Sequence, residues 1–279
     1  VLLGCGMPLA SGFGYVDYCR IGSDVGLSWE DRRLKAVGYR ERVSTINSIT
    51  STIGRQSFNG RFFLSDPDVF ILRPENNRLT AVQRQTLFYV NEIFGGLVFT
   101  SDNISSYDDE VLAFYRASFP FKKKRICELS REGRLLRVVF AVDKLQYCAF
   151  INLSPKPAKL RLSPGLYYHR DSGFLKGDTV LSLSAYETRS YLSVGGDEFS
   201  LAGSTAHVFP CSEISQFSLS AKGLTIALDE QVLDPGFVFV RIPQNMAGIP
   251  VNGVPHHTED KCGLNLLILD ERELPRTTA

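Results

Sequence analysis

The chain has 279 residues, 44% of them hydrophobic and 22% charged, with a formal net charge of +1. That length and composition suit a globular protein with room for two domains. The near-neutral balance supplies no field to gather nucleic acid or an anionic membrane, so a small neutral molecule is the expected partner.

Up to about Pro120, short apolar runs alternate with helical patterns. Residues 1–5 and 15–21 predict strands, each offering its C-terminal end to a loop. From Trp29 to Ile53, the residues Leu34, Val37, Val43, Ile46, Ile49 and Ile53 fall mostly three or four apart, the spacing of one or two amphipathic helices. Residues 68–72 (DVFIL) predict a buried strand. Thr80 can cap a helix with Val82, Leu87, Val90 and Phe94 on its apolar face, and Gly95-Gly96 stops it. Residues 97–100 predict a further strand and 107–119 a further helix. Strands alternating with crossover-length helices imply a parallel sheet with functional loops at the strand C-termini. About four such units are present, whereas a closed barrel needs about eight, so these strands alone leave an open edge.

The basic run at 122–125 reads as an exposed linker, because the aromatic interleaving and further basic clusters of a nucleic-acid site are missing. Beyond it come short strands broken by turns: RLLRVVFAV, YCAFINL, KLRL, GLYYH, VLSLSA and TRSYLS, as in an antiparallel sandwich or sheet. The same grammar continues to the end, with a second boundary near Gly203. The expected organisation is therefore 1–120, 121–203 and 204–279. No period of about 20 to 50 residues recurs, which argues against a solenoid or propeller.

No run approaches the roughly 18 apolar residues of a membrane span, and no charged-then-apolar leader opens the chain. Val1 begins directly in an apolar run, so the natural N-terminus is expected further upstream. Cys5, Cys19, Cys127, Cys148, Cys211 and Cys262 form no CxxC pair. They are expected as reduced, buried thiols, and the expected compartment is the cytoplasm.

The richest segment is CGMPLASGFGYVDYCRIGSDVGLSW, residues 5–29. Arg20 and Asp24 flank a Gly-containing bend after a strand, and Trp29 just beyond could form an apolar wall. From spacing alone the two either face one pocket or make a structural ion pair, the second being the commoner arrangement.

This segment resembles glycoside hydrolase family 36, the α-galactosidases or melibiases, and more distantly family 27. The family's R-x-G-x-D pattern after barrel strand six is matched by Arg20, Gly22 and Asp24, and its C-G-x-P-L context after strand five by Cys5, Gly6, Pro8 and Leu9. FLSDPDVFILR (63–73) is similar to the strand-seven signature, and Leu79-Thr80 followed by GGLVFTSDN to the strand-eight region. LSAYETRSYL (183–192) resembles the family's C-terminal β-domain. The resemblance implies the C-terminal half of a (β/α)8 TIM barrel followed by antiparallel β-sandwich or sheet structure. It also implies retaining hydrolysis of terminal α-galactosides, with no cofactor or metal. Sibling α-N-acetylgalactosaminidase or α-galactosyl transfer activities share the motif, and a non-catalytic carbohydrate-associated β-module with a barrel remnant is the contrasting expectation.

By the same resemblance, Asp24 is the general acid/base, Arg20 hydrogen-bonds the sugar, and Cys5 lies against the sugar's 2-position, although a buried packing thiol remains the alternative for Cys5. A retaining mechanism needs a second carboxylate about 5 Å away as nucleophile. The family carries it after barrel strand four, in a segment with no counterpart here. Asp66, Asp68 and Asp102 are expected to tie backbone N–H groups or a neighbouring base. His256 and His257, with Glu259, Asp260 and Cys262, carry metal-ligand chemistry, but adjacent histidines in an extended segment point to opposite sides, so a solvated loop is expected. Gly95-Gly96 is a helix stop and not a phosphate loop.

Overall fold

The computed structural model describes residues 1–40, 42–196, 199–246, 249–256, 258–261 and 263–277. It is a mixed fold, mostly strands with few helices. Strands β1 (Leu3–Gly4), β2 (Tyr18–Arg20) and β3 (Leu64–Asp66) pair in parallel in that order. Gly4 stands beside Cys19, and Arg20 beside Asp66. The C-terminal ends of all three strands therefore share one edge of the sheet.

The apolar spacing between Trp29 and Ile53 resolves into two helices, α1 (Arg32–Ala36) and α2 (Thr45–Gly54). Asp31 caps α1 by accepting from the N–H groups of Arg33 and Leu34. Gly38, with φ 71°, turns the chain away after it. Only α2 reaches the core, through Ile49 and Ile53.

The strand expected over 68–72 is cut down to β4 (Val69–Phe70). Pro67 has no N–H to offer a ladder, and Asp68 sits at φ 74°, so the chain kinks between β3 and β4. Helix α3 (Ala81–Phe94) opens with a full capping box between Thr80 and Gln83. It buries Leu87, Phe88, Val90, Ile93 and Phe94 almost completely. Strand β5 (Phe99–Thr100) pairs in parallel with β4, and α4 (Asp109–Arg116), capped by Asp108, follows. The parallel strands thus form a three-stranded sheet and a separate pair, not one continuous sheet.

Next come β6 (Arg125–Glu132), β7 (Leu135–Val142), β8 (Leu145–Asn152), β9 (Ala158–Arg161), β10 (Leu166–His169), β11 (Gly173–Lys176), β12 (Val180–Leu183) and β13 (Thr188–Val194). Six of them make an antiparallel sheet in the order β11-β10-β13-β8-β7-β6, and β12 pairs with β9. Strands β7 and β8 read as nearly unbroken apolar runs because both faces of this sheet are covered. Val138, Phe140, Tyr147 and Ile151 face the main core shared with α2 and α3, while Leu135, Val139 and Phe150 face Leu160, Leu181 and Leu183.

The remaining strands are β14 (Ser200–Ser204), β15 (Ile214–Ser220), β16 (Gly223–Asp229), β17 (Phe237–Arg241), β18 (Pro250–Val251), β19 (Val254–Pro255), β20 (Thr258–Lys261), β21 (Leu264–Asp270) and β22 (Arg276–Thr277). They form a β14-β17-β21-β20 sheet and a β15-β16-β18-β19 sheet with β22 alongside β16. Gly203, expected near a boundary, lies inside β14, where a Cβ would meet the Tyr168 ring at 2.5 Å. A glycine is required for β14 to lie this close to β10.

Three expectations are corrected. The basic run at 122–125 is not exposed throughout: Lys123 and Arg125 are exposed, but the Lys124 side chain is buried, pairs with buried Glu92, and stands 4.8 Å over the Phe209 ring. Lys122 pairs with Asp229 at 2.5 Å, and His207 bonds the Pro120 carbonyl at 3.2 Å. Burial, then the charge of Lys124, push the His207 pKa down to about 3. Its Nδ1 accepts from Phe209 N–H, so Nε2 carries the proton. Secondly, Cys5 and Cys127 are exposed thiols, whereas Cys19, Cys148 and Cys211 are buried. Thirdly, the segment expected as a solvated loop includes edge strand β20; His257 and Cys262 lie outside the described residues. Among the described residues no group of His, Cys, Asp and Glu is placed to hold a metal ion, and no helix is long and apolar enough to cross a membrane.

Glu213 and Glu271 adjoin in the interior, 0% and 1% exposed. Glu271 accepts from Gly236 N–H at 2.8 Å. Burial, reinforced by Glu271, pushes the Glu213 carboxyl well above its usual range, so the pair retains a proton that the unfolded chain releases. A raised folded-state pKa contributes stability that is full below the unfolded value and is lost as pH rises towards the folded one. The melting temperature is expected to fall as pH rises above the ordinary glutamate range, and Glu213→Gln, which keeps a donor without a titrating proton, should flatten that slope. Parallel slopes for the two proteins would show that the pair does not hold the proton.

Candidate functional site

The end of the β1-β2-β3 sheet gathers the polar residues. Cys5 follows β1, Arg20 ends β2, and Asp66 ends β3. Arg20 is a hub for three carboxylates. Its Nε donates to Asp66 Oδ2 at 2.9 Å, Nη2 to Asp68 Oδ1 at 2.9 Å, and Nη1 to Asp24 Oδ1 at 3.0 Å. The planar guanidinium suits this division, since its donors point outward in a fixed fork. Burial by itself would lower the Arg20 pKa, but the hydrogen bond and charge of Asp66, then Asp68 and Cys5, outweigh it and the pKa is raised.

The three aspartates differ in how they are committed. Asp66 is fully buried, and its Oδ1 also accepts from Asp68 N–H at 2.9 Å. Asp68 accepts from Val25 N–H at 2.6 Å, which fastens the loop after β2 onto the kink between β3 and β4. Burial raises the Asp68 pKa, partly offset by that N–H and by Arg20. Asp24, by contrast, is 72% exposed. Its contact with Arg20 leaves one carboxylate oxygen open to solvent, so Asp24 is the carboxylate best placed to exchange a proton with a bound molecule. Asp66 and Asp68 act as fixed anions that hold the cation in place.

The structure thus brings Arg20 and Asp24 into direct contact, with Cys5 just past the end of the neighbouring strand β1. Trp29 packs against Tyr186, with ring centroids 4.8 Å apart. Asp102 accepts from Leu72 and Arg73 N–H groups and from the Tyr107 hydroxyl at 2.8 Å, tying β4 to the turn after β5. Asp66 and Asp68, expected from sequence to tie backbone N–H groups or a neighbouring basic residue, do both; what the sequence reading did not identify is that the basic residue is Arg20, which it paired with Asp24 alone. The available signal was an arginine at one strand end and two aspartates flanking a proline at another. A larger cavity, about 1050 Å³, lies elsewhere, between α3, α4 and the end of β10, with Tyr89, Phe114, His169, Glu187, Arg189 and Asp234 in its lining.

No family model matches the chain. Solved structures share its fold. A Bacteroides fragilis protein assigned as an α-galactosidase aligns at 15% identity over 71% of this chain and 47% of its own, with a TM-score of 0.56. α-Galactosidase I from Mortierella vinacea aligns at 12% identity over 64% of this chain and 53% of its own, with a TM-score of 0.50. A GH27 β-L-arabinopyranosidase from Geobacillus stearothermophilus aligns at 14% identity over 68% of this chain and 48% of its own, also with a TM-score of 0.50. The chain spans about half the length of each. At these identities the likeness is one of fold.

Proposed function

We propose that this chain is the C-terminal portion of a retaining α-galactosidase of the family 36 kind. Residues 1–120 would contribute strands five to eight of a (β/α)8 barrel, 121–203 a C-terminal β-domain, and 204–279 a further β-rich segment. The observation that carries the reading is the contact between Arg20 and exposed Asp24 at the ends of parallel strands, the position at which barrel enzymes place their chemistry. The ordered motifs around Cys5, Arg20, Asp66 and Thr80 and the shared fold with solved α-galactosidases support it.

In this mechanism Asp24 protonates the glycosidic oxygen as the bond breaks and then deprotonates the water that releases the sugar. Arg20, immobilised by Asp66 and Asp68, orients Asp24 and donates to a sugar hydroxyl. Cys5 lies against the 2-position of the sugar and bears on which substituent fits there. The nucleophile comes from a preceding segment, because Asp66 and Asp68 are both spent on Arg20 and on backbone N–H groups.

The experiment compares the 279-residue chain with the product of the same reading frame extended upstream, using p-nitrophenyl α-galactoside. No nitrophenol release is expected from the first, since losing a nucleophile costs orders of magnitude. Turnover is expected from the second. Release by the shorter chain alone would refute the assignment of roles, with Asp66 or Asp68 then the candidate nucleophile.

A further inference from the structure

Helix α2 turns a polar face towards the back of the Asp24 loop. Asn47, Ser51 and Arg55 recur every four residues and so share one side of the helix. Gly22 lies against that side, where a Cβ would stand 3.0 Å from Ser51 Cβ, and Arg55 donates to the Ile21 carbonyl. Asn47 Nδ2 ties three segments together, donating to Ser23 Oγ at 3.0 Å and to the carbonyls of Arg40 at 3.1 Å and Arg42 at 3.0 Å. Ser23, Arg40, Arg42, Asn47, Ser51 and Arg55 together line a cavity of about 380 Å³.

This lining contains three guanidinium groups and no carboxylate. Arg42 is neutralised by Glu30, at 2.7 and 3.1 Å. Arg40 and Arg55 have no carboxylate partner among the described residues. The Ser23 hydroxyl accepts from Asn47, which leaves its own hydrogen to donate, and the Ser51 hydroxyl is a further donor. A hollow bordered by hydroxyl donors and by two arginines without a carboxylate partner among the described residues favours an anion, and the guanidinium fork matches tetrahedral oxyanions in particular.

We propose that this cavity is a binding site for a phosphate-type oxyanion, free or carried on a small molecule, seated against the rear of residues 21–24. Its volume exceeds that of a bare phosphate and leaves room for an attached group. The site is separate from the Arg20 cluster and does not depend on the reaction proposed for Asp24.

The test is calorimetric titration of the 279-residue chain with inorganic phosphate at low ionic strength, with sodium chloride at matched ionic strength as control. Saturable binding to phosphate is expected, weakened about ten-fold or more by Arg40→Gln. Arg40 is exposed and its side chain makes no hydrogen bond or ion pair among the described residues, so this variant should melt like the parent. A parallel titration with galactose 6-phosphate separates the sources: tighter binding than inorganic phosphate assigns a phosphorylated sugar, and equal binding assigns the free ion. The proposal is overturned by a lack of saturation up to about 10 mM phosphate, by equal affinity in Arg40→Gln, or by chloride reproducing the signal.

Discussion

In the enzyme with its nucleophile in place, Asp24→Ala is expected to slow hydrolysis of alkyl α-galactosides such as raffinose by about 10²–10⁴-fold. Aryl galactosides with acidic phenols should suffer much less in the bond-breaking step. An alkoxide must be protonated as it departs, whereas an acidic phenolate leaves without help. Azide should partly rescue the aryl substrate, because it attacks a galactosyl-enzyme without base assistance, and the product should be the α-configured galactosyl azide. Arg20→Ala should weaken both substrate types without azide rescue. It also removes the cation between buried Asp66 and Asp68, so its folding must be checked separately. Equal slowing of both substrates by Asp24→Ala, with no effect of azide, would remove Asp24 from the acid/base role.

The second large effect concerns the buried pair at the seam between α3 and β6. Lys124→Ala is expected to destabilise the fold by about 3–5 kcal/mol, because it leaves the Glu92 carboxylate buried without its partner. The double variant Lys124→Met/Glu92→Leu should recover most of that loss, since two apolar side chains of similar volume avoid the desolvation that the ion pair must overcome. Burial already lowers the Lys124 pKa well below its usual value, as expected for an ammonium held away from water. Denaturant midpoints of the single and double variants measure both effects. A loss below about 1 kcal/mol for Lys124→Ala, the scale of a surface pair, would mean that water reaches the seam.

The sequence by itself determined the features that depend on near neighbours. Thr80 and Gln83 cap α3 through their own backbone, Pro120 closes the helical part, and the β7 and β8 runs announce strands through residue type alone. The motif at Arg20, Gly22 and Asp24 likewise lies within five residues. Tertiary structure decided whatever depends on residues distant in the chain. KKKR is polar by composition, but Lys124 is buried because Glu92 and Phe209 arrive from elsewhere to receive its charge. Strand 68–72 is shortened because Asp68 is drawn into a left-handed turn that lets it meet Arg20 and Val25 N–H, 48 and 43 residues away. The apolar spacing that marks α2 gives no sign of a site on its polar side, and only folding brings Arg40 and Ser23 over Asn47, Ser51 and Arg55. Local propensity acts through bonds a few residues apart, whereas buried charge is placed by whichever partner the fold supplies.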